Sequence, residues 1–461
     1  MKVVIMGLGS YKEGSGISAA KFFISQGDAV LITDLKTEKD LKAQIAELKN
    51  FCKKNKKLLP KFVLGRHDEK DFANADLVMR NPGVPKDSKF LQLAREKNIP
   101  VETDISIFMK NCPAQVVGVT GTRGKSTTTT LIYKLLKKSP PSPPFQRGGK
   151  RGVWLGGNIK ISPLSYVDKI KNGDIVVLEL SSWLLENFAE KKLAPHVAVI
   201  TNIFPDHLNT YKNMAEYIAA KKNIFACQAA GDYLVANGEN AETKKWHGRG
   251  KTIYFYKKDA AEYKIALRGE HNLENIAAGI VVAKIFEVPV ARIKKVLAKF
   301  SGLPDRQELV AEIHGVKYIN DTTATSPDGV IAALRTFGAP VRSVIPAKAG
   351  ISSAKNIILI AGGKDKELEY DELAKEIPKY CKAVILFPGT ATEKIKNGLL
   401  TANCQLLTAT DMKDAVKQAR TLAIKGDIIL LSPGAASFGL FKNEFDRGEQ
   451  FRKAVAEIGK N

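Results

Sequence analysis

The sequence predicts an α/β protein of several domains built on mainly parallel sheets, with a phosphate-binding loop in the middle of the chain. Three observations carry this. At 461 residues the chain is about three times the usual domain size, so roughly two to four separate cores are expected. Short β-branched runs alternate with helix-length amphipathic segments along its length, as in sheets flanked by helices. Val116 to Thr130 reads VVGVTGTRGKSTTTT, an apolar run, a glycine-flanked turn, and then Lys125 and Ser126 opening a helical segment.

That stretch has the chemistry of a phosphate cradle. Backbone N–H groups of a glycine turn can converge on one anion, and the start of a helix adds its positive dipole end. The ammonium of Lys125 and the hydroxyl of Ser126 then reach terminal phosphates and a Mg²⁺ ion. The strict P-loop spacing fails, because Val119 occupies the place of the first glycine of GxxxxGK and Gly118 lies one residue too early. A glycine turn with a solvated lysine is the bland reading of GK alone. The buried strand before it, the further hydroxyl residues and the LIYKLLKK helix after it favour nucleotide binding, with Thr120, Gly121, Thr122, Arg123, Gly124, Lys125, Ser126 and Thr127 as the ATP loop.

Composition narrows the class. Hydrophobic residues at 44% and charged residues at 26% are those of a globular protein, and no apolar run approaches the ~18 residues of a membrane span. The apolar start MKVVIMGLGS is too short for a signal peptide, so a cytoplasmic protein is expected. Five scattered cysteines with no CxxC pair read as reduced thiols. Lys and Arg outnumber Asp and Glu by 71 to 48, which attracts anionic ligands. These charges are spread along surface patterns such as KKNKK and KKDAAEYK, without the aromatic interleaving of a nucleic-acid groove. Small anionic substrates are expected, and neither nucleic acid nor membrane.

Residues 3–6 read as a strand, followed by glycines and a second strand, AVLITD, ending at Asp34. Gly14, Gly16 and Ala19 spell GxGxxA with Asp34 twenty residues on, a weak dinucleotide signal that keeps an NAD-dependent oxidoreductase in view. ADLVMRNPGVP gives a further strand and turn. After the phosphate loop, Ser139 to Gly152 is rich in Pro, Gly and Arg and reads as a surface insertion. GDIVVLELSSWLLENF places Glu179 at a strand end, where a carboxylate suits Mg²⁺. HVAVITNIFPDHL brings Asn202, Asp206 and His207 to a similar edge, and NMAEYIAAKKNIF carries Lys221 on an apolar helix face. For Glu179 alone a surface carboxylate, and for Lys221 a snorkelling lysine, would be the ordinary reading. Residues 230–268 read as short strands, and GEHNLENIAAGIVVAKIF as a helix with Asn272 and Asn275 on its first turns. From Gly302 strands and helices alternate again, interrupted by a second insertion near Val341 to Lys355.

Taken together, these residues resemble the Mur ligase family over nearly the whole chain. GTxGKS, Gly156-Gly157-Asn158, ELSS, TNxxxDH, AAK ending at Lys221, HNxxN, GLPxR ending at Arg306, NDxxAT from Asn320, LSPxxAS and FKNEFDRG occur in family order. The NDxxAT and SPxxAS signatures favour the branch that adds glutamate. The resemblance implies a Rossmann-like domain at 1–111 for the UDP end of the substrate, a P-loop ATPase-like domain at 112–301, and a Rossmann-like amino-acid domain at 302–461. It implies a monomer that adds D-glutamate to UDP-N-acetylmuramoyl-L-alanine with ATP through an acyl phosphate. A relative adding L-glutamate or extending a folate tail is the alternative.

Residue roles follow from the same resemblance. Lys125, His207 and Lys221 are the catalytic set, and Ser126, Glu179, His207 and Lys221 the partners of two Mg²⁺ ions, with Lys221 carbamylated. Carbamylation needs a neutral amine, of which only about 0.1% exists at neutral pH for an ordinary lysine. Burial raises that fraction. Asn272, Asn275, Arg306 and Asp321 are assigned to ATP; Gly9, Ser10, Asp34, Lys36, Gly83 and Asn158 to the UDP substrate; Thr325, Lys366, Ser437 and Phe445 to the amino acid. One departure stands out: Thr323 occupies the place of the lysine in the commonest form of the motif, NDSKAT, which puts amino-acid choice in question unless Lys364 or Lys366 compensates.

Overall fold

A computed structural model describes residues 1–9, 13–137, 152–159, 161–206, 210–338, 355–399, 404–437 and 439–459. Most of both insertions, 139–151 and 341–354, and also Ser10 and His207, lie outside the described residues. The chain divides into two compact units, 1–264 with 273–298, and 265–272 with 299–461.

The first unit holds two sheets. One contains β1 (Lys2–Met6), β2 (Ala29–Asp34), β3 (Lys61–Leu64), β4 (Leu77–Arg80) and β5 (Val101–Glu102), in the order β3-β2-β1-β4-β5 with all pairs parallel. The other contains β6 (Gln115–Thr120), β7 (Val153–Gly157), β8 (Ile175–Glu179), β9 (Val197–Ile200), β10 (Tyr233–Asn237) and β11 (Lys251–Phe255). Its order is β11-β10-β9-β6-β8-β7, again all parallel. Parallel strands need crossovers, and both faces end up covered, which is why these strands read as unbroken apolar runs. One apolar core runs continuously from Val3, Ile5 and Phe23 through Phe108 and Tyr166 to Leu178 and Ala198, so the two sheets are packed as a single body.

The second unit holds β12 (Glu308–Ile313), β13 (Val316–Asn320), β14 (Ile357–Gly362), β15 (Cys381–Phe387), β16 (Gln405–Thr408) and β17 (Ile428–Leu431), ordered β12-β13-β17-β14-β15-β16. Alternate side chains feed two cores. Ile357, Leu359 and Leu430 enter one, and Ile358, Ile360 and Leu431 the other, the period-two consequence of the pleat.

Several sequence expectations are corrected. The weak GxGxxA reading at Gly14, Gly16 and Ala19 is not a phosphate turn, since Gly16 and Ala19 lie inside the helix Ser15–Gln26. A Cβ on Gly16 would come within 2.5 Å of the carbonyl oxygens of Gly7 and Leu8, so this glycine serves helix packing. Residues 230–268 do carry two short strands, β10 and β11, whereas KKDAAEYK, helix-like in sequence, opens as a single 3-10 turn, Lys257–Ala260. In the third sheet β12 is antiparallel to β13, an edge strand the sequence pattern did not reveal.

Candidate active site

The phosphate loop is built as its sequence requires. β6 delivers Thr120 to the sheet edge, Gly121 turns at φ 145°, and Gly124 caps the helix Lys125–Leu136 at φ 78°. Both glycines are obligatory for space as well as for φ. A Cβ at Gly121 would meet Thr201 Oγ1 at 1.9 Å, and one at Gly124 would meet Asn275 Oδ1 at 2.1 Å. Lys125 Nζ donates to Thr122 O at 2.8 Å, so the ammonium folds back over the turn. Ser126 and Thr127 follow in the first helical turn.

The next strand over, β9, fastens this loop. Asn202 accepts from Thr122 N through its backbone carbonyl and from Arg123 N through Oδ1, both at 2.9 Å, and Thr201 Oγ1 donates to Arg123 O at 2.6 Å. Tyr217 OH lies 3.2 Å from Thr122 Oγ1. Asn275 Oδ1 accepts from Thr128 Oγ1 at 3.2 Å, placing that asparagine beside the loop. Sequence reasoning gave Thr201 and Tyr217 no role and left Asn202 only near the edge. The one available signal was the Thr-Asn pair directly after a buried strand.

On the other side of β6, Glu179 ends β8 with its side chain buried. Asn158 Nδ2 donates to Glu179 Oε1 at 3.1 Å, and Asn158 N to Glu179 O at 2.9 Å. Among the described residues none is hydrogen-bonded to Glu179 Oε2, which is buried. A buried carboxylate oxygen in that state is costly and suits a cation. Among the described residues no group of three or more His, Cys, Asp or Glu is placed to hold a metal by itself. The donor set therefore needs other oxygens, and Ser126 and a phosphate are of the right type.

Lys221, on the helix Met214–Ala226, is only 1% exposed, so it does not snorkel. Its Nζ donates to Gly121 O at 2.9 Å and lies 4.7 Å from the centre of the Tyr217 ring. Burial pulls its amine down to about 7; Lys125 pushes the same way, against Asp206 and Glu179. Loop, carboxylate and amine thus share one edge of the second sheet.

The remaining candidates fall in separate neighbourhoods. At the edge of the first sheet, Asp34 Oδ2 accepts from Leu8 N at 2.8 Å and Oδ1 from Lys36 N at 2.9 Å. Gly9 is at φ 80°, and Gly83 N donates to Asn81 Oδ1 at 3.2 Å. In the second unit, Asn272 Nδ2 donates to Arg268 O at 2.6 Å. Asp321 is buried, accepting from Gln307 N at 3.1 Å and Ser432 Oγ at 3.0 Å; burial pushes its carboxyl up to about 7, opposed by these bonds and by Arg306. Lys366 Nζ donates to Thr325 Oγ1 at 2.8 Å. Ser437 is buried, and Phe445 lies in the first turn of the helix Glu444–Ile458, capped by Asn443. Arg447, unassigned from sequence, is fully buried and joins Thr322 to Ala435 O.

Comparison with known proteins covers the whole chain. The Mur ligase MurD-like N-terminal domain matches residues 1–103, the Mur ligase middle domain 119–253, and the Mur ligase glutamate ligase domain 305–434. A protein of Roseiflexus sp. (strain RS-1) named UDP-N-acetylmuramoylalanine--D-glutamate ligase is 38% identical, over 98% of each chain. One of the same name from Borreliella burgdorferi (strain ZS7) is 33% identical, over 100% of this chain and 98% of its own. Among solved structures, UDP-N-acetylmuramate-alanine ligase MurC of Thermotoga maritima aligns with TM-score 0.59 at 18% identity, over 99% of this chain and 100% of its own. MurF ligase of Thermotoga maritima in complex with ADP aligns with TM-score 0.59 at 19% identity, over 93% and 96%. The structural matches speak to the fold.

Proposed function

The chain belongs to the Mur ligase family, and from that premise we infer that it is an ATP-dependent amide ligase adding D-glutamate to UDP-N-acetylmuramoyl-L-alanine. The observation that carries this reading is the meeting, at one sheet edge, of the Gly121–Lys125 loop, the buried Oε2 of Glu179 and the buried amine of Lys221. The near full-length relatives of that name supply the substrates.

A carboxylate is a poor electrophile, so the alanyl carboxylate first attacks the γ-phosphorus of ATP, giving an acyl phosphate and ADP. The amine of D-glutamate adds to the acyl carbon, and the tetrahedral intermediate expels phosphate and loses a proton. In this scheme the loop N–H groups and Lys125 hold the phosphates and balance the charge in transit. Asn158 holds the acceptor substrate. Asn272, Asn275, Arg306 and Asp321 hold ATP; Thr325, Lys366, Ser437 and Phe445 hold the amino acid. Gly9, Ser10, Asp34, Lys36 and Gly83 hold the uridine nucleotide. The functional regions run 1–111, 112–301 and 302–461.

Ser126, Glu179, His207 and a carbamylated Lys221 are the residues that would hold Mg²⁺, which when bound supplies Lewis-acid neutralisation of the phosphates. Carbamylation turns an amine into a carboxylate, and an amine pulled down to about 7 is available for it at neutral pH. No helix among the described residues is long and apolar enough to cross a membrane; the reading carries with it a monomeric enzyme of the cytoplasm. Phosphate release from ATP with UDP-N-acetylmuramoyl-L-alanine, compared for D-glutamate, L-glutamate and no amino acid, tests it. Release with L-glutamate alone moves the assignment to the alternative ligase, a choice that Thr323 makes worth measuring.

A further inference from the structure

Arg306 stands on a tight turn, bridged between Leu303 and Arg306, whose neighbours occupy the left-handed region, Asp305 at φ 65° and Gln307 at φ 48°. Non-glycine residues hold that backbone only where their surroundings impose it. Here Asp305 is gripped from several sides. Its Oδ1 accepts from Arg452 Nη1 at 2.8 Å and from Asn320 Nδ2 at 2.9 Å, its N donates to Glu308 Oε2 at 2.9 Å, and its carbonyl accepts from Thr323 Oγ1 at 2.9 Å.

Arg452 Nη1 and Asn320 Nδ2 also reach Glu308 Oε2, at 3.0 Å and 3.2 Å. Two carboxylates thus share one guanidinium and one amide, and without the cation they would repel across the base of the turn. The helix Glu444–Ile458 comes close enough because residue 448 is glycine; a Cβ there would lie 2.2 Å from Asp305 Oδ1.

We propose that Arg452 and Thr323 are positioning residues for Arg306, fixing through Asp305 the turn from which Arg306 meets the phosphates of ATP. This rests on the reading of Arg306 as an ATP ligand. It also accounts for Thr323, whose hydroxyl serves the Asp305 carbonyl.

Calorimetric titration of the full-length protein with MgATP tests this without requiring turnover. Arg452→Met should raise the Kd for ATP by about tenfold, the scale of one lost charge-assisted hydrogen bond. Arg452→Lys should recover part of the loss. Gly448→Ala, which favours the helix and removes no charge, should reproduce it by displacing Asp305. In turnover the KM for ATP should rise while that for D-glutamate stays put. A Kd within twofold of wild type in both Arg452→Met and Gly448→Ala overturns the inference, as does an equal rise in both KM values. A tenfold change in a protein that releases no phosphate with D-glutamate upholds the positioning role and rejects the substrate reading instead.

Discussion

The amine of Lys221 lies 2.9 Å from the carbonyl oxygen of Gly121, so a buried hydrogen bond ties the helix Met214–Ala226 to the phosphate loop, beside the contact of Tyr217 with Thr122. Whatever changes the charge of that amine is felt by the loop. Lys221→Ala should lower activity by roughly a hundredfold or more, with partial recovery in added short-chain carboxylic acids that replace the carbamate. Wild-type activity should also fall as pH drops below about 7, where the amine protonates and stops taking up carbon dioxide. A carbamate signal in ¹³C NMR that disappears in the variant is the direct check; full activity of the unrescued variant excludes the role.

Asp321 gives a pH dependence of the opposite chemical kind. Its carboxyl is pushed from 3.8 to about 7 by burial, so between those values the folded protein binds a proton that the unfolded chain releases. Its contribution to stability is whole below pH 3.8 and fades as pH rises through about 7. Asp321→Asn should flatten that slope in melting temperatures measured from pH 4 to 8 while weakening ATP binding. An unchanged slope would show that Asp321 is not the titrating group.

Glu179→Gln separates metal binding from folding. The amide can still accept from Asn158 Nδ2, and the buried oxygen it replaces has no hydrogen-bond partner among the described residues. Stability should therefore hold to within about 1 kcal/mol or rise. Activity should fall roughly a hundredfold or more, with a higher Mg²⁺ requirement. Mg²⁺ titrations alongside thermal melts decide, and an unaltered Mg²⁺ requirement removes Glu179 from the metal set.

Gly124→Ala should be damaging twice over. The position needs φ 78°, and the added methyl would strike Asn275 Oδ1. A loss of about 1 to 3 kcal/mol in chemical denaturation is expected, with ATP binding lost even where the fold survives. A variant that binds ATP normally would show that the loop tolerates a different path.

Much of this architecture was legible because buried parallel strands advertise themselves. The β-branched runs at β6, β8 and β9 gave both the second sheet and the edge positions of Thr120, Glu179 and, just past β9, Asn202. What stayed hidden was information that local sequence does not hold. The direction of β12 depends on a strand pairing, and β5 is two residues long. Gly16 looked like part of a nucleotide fingerprint because close helix packing and close phosphate approach ask for the same missing Cβ. Arg447 and Arg452 received no role from sequence, and only the packed structure shows one sealed inside and the other holding two carboxylates.

The apolar core shared by the first two sheets has a mechanical corollary. Asp34 and Lys125 stand on two sheets that share this core, so if they hold the two ends of the substrate as proposed, their spacing gauges its length. On that reading, a sugar nucleotide of the wrong length would reach one end of the site and miss the other.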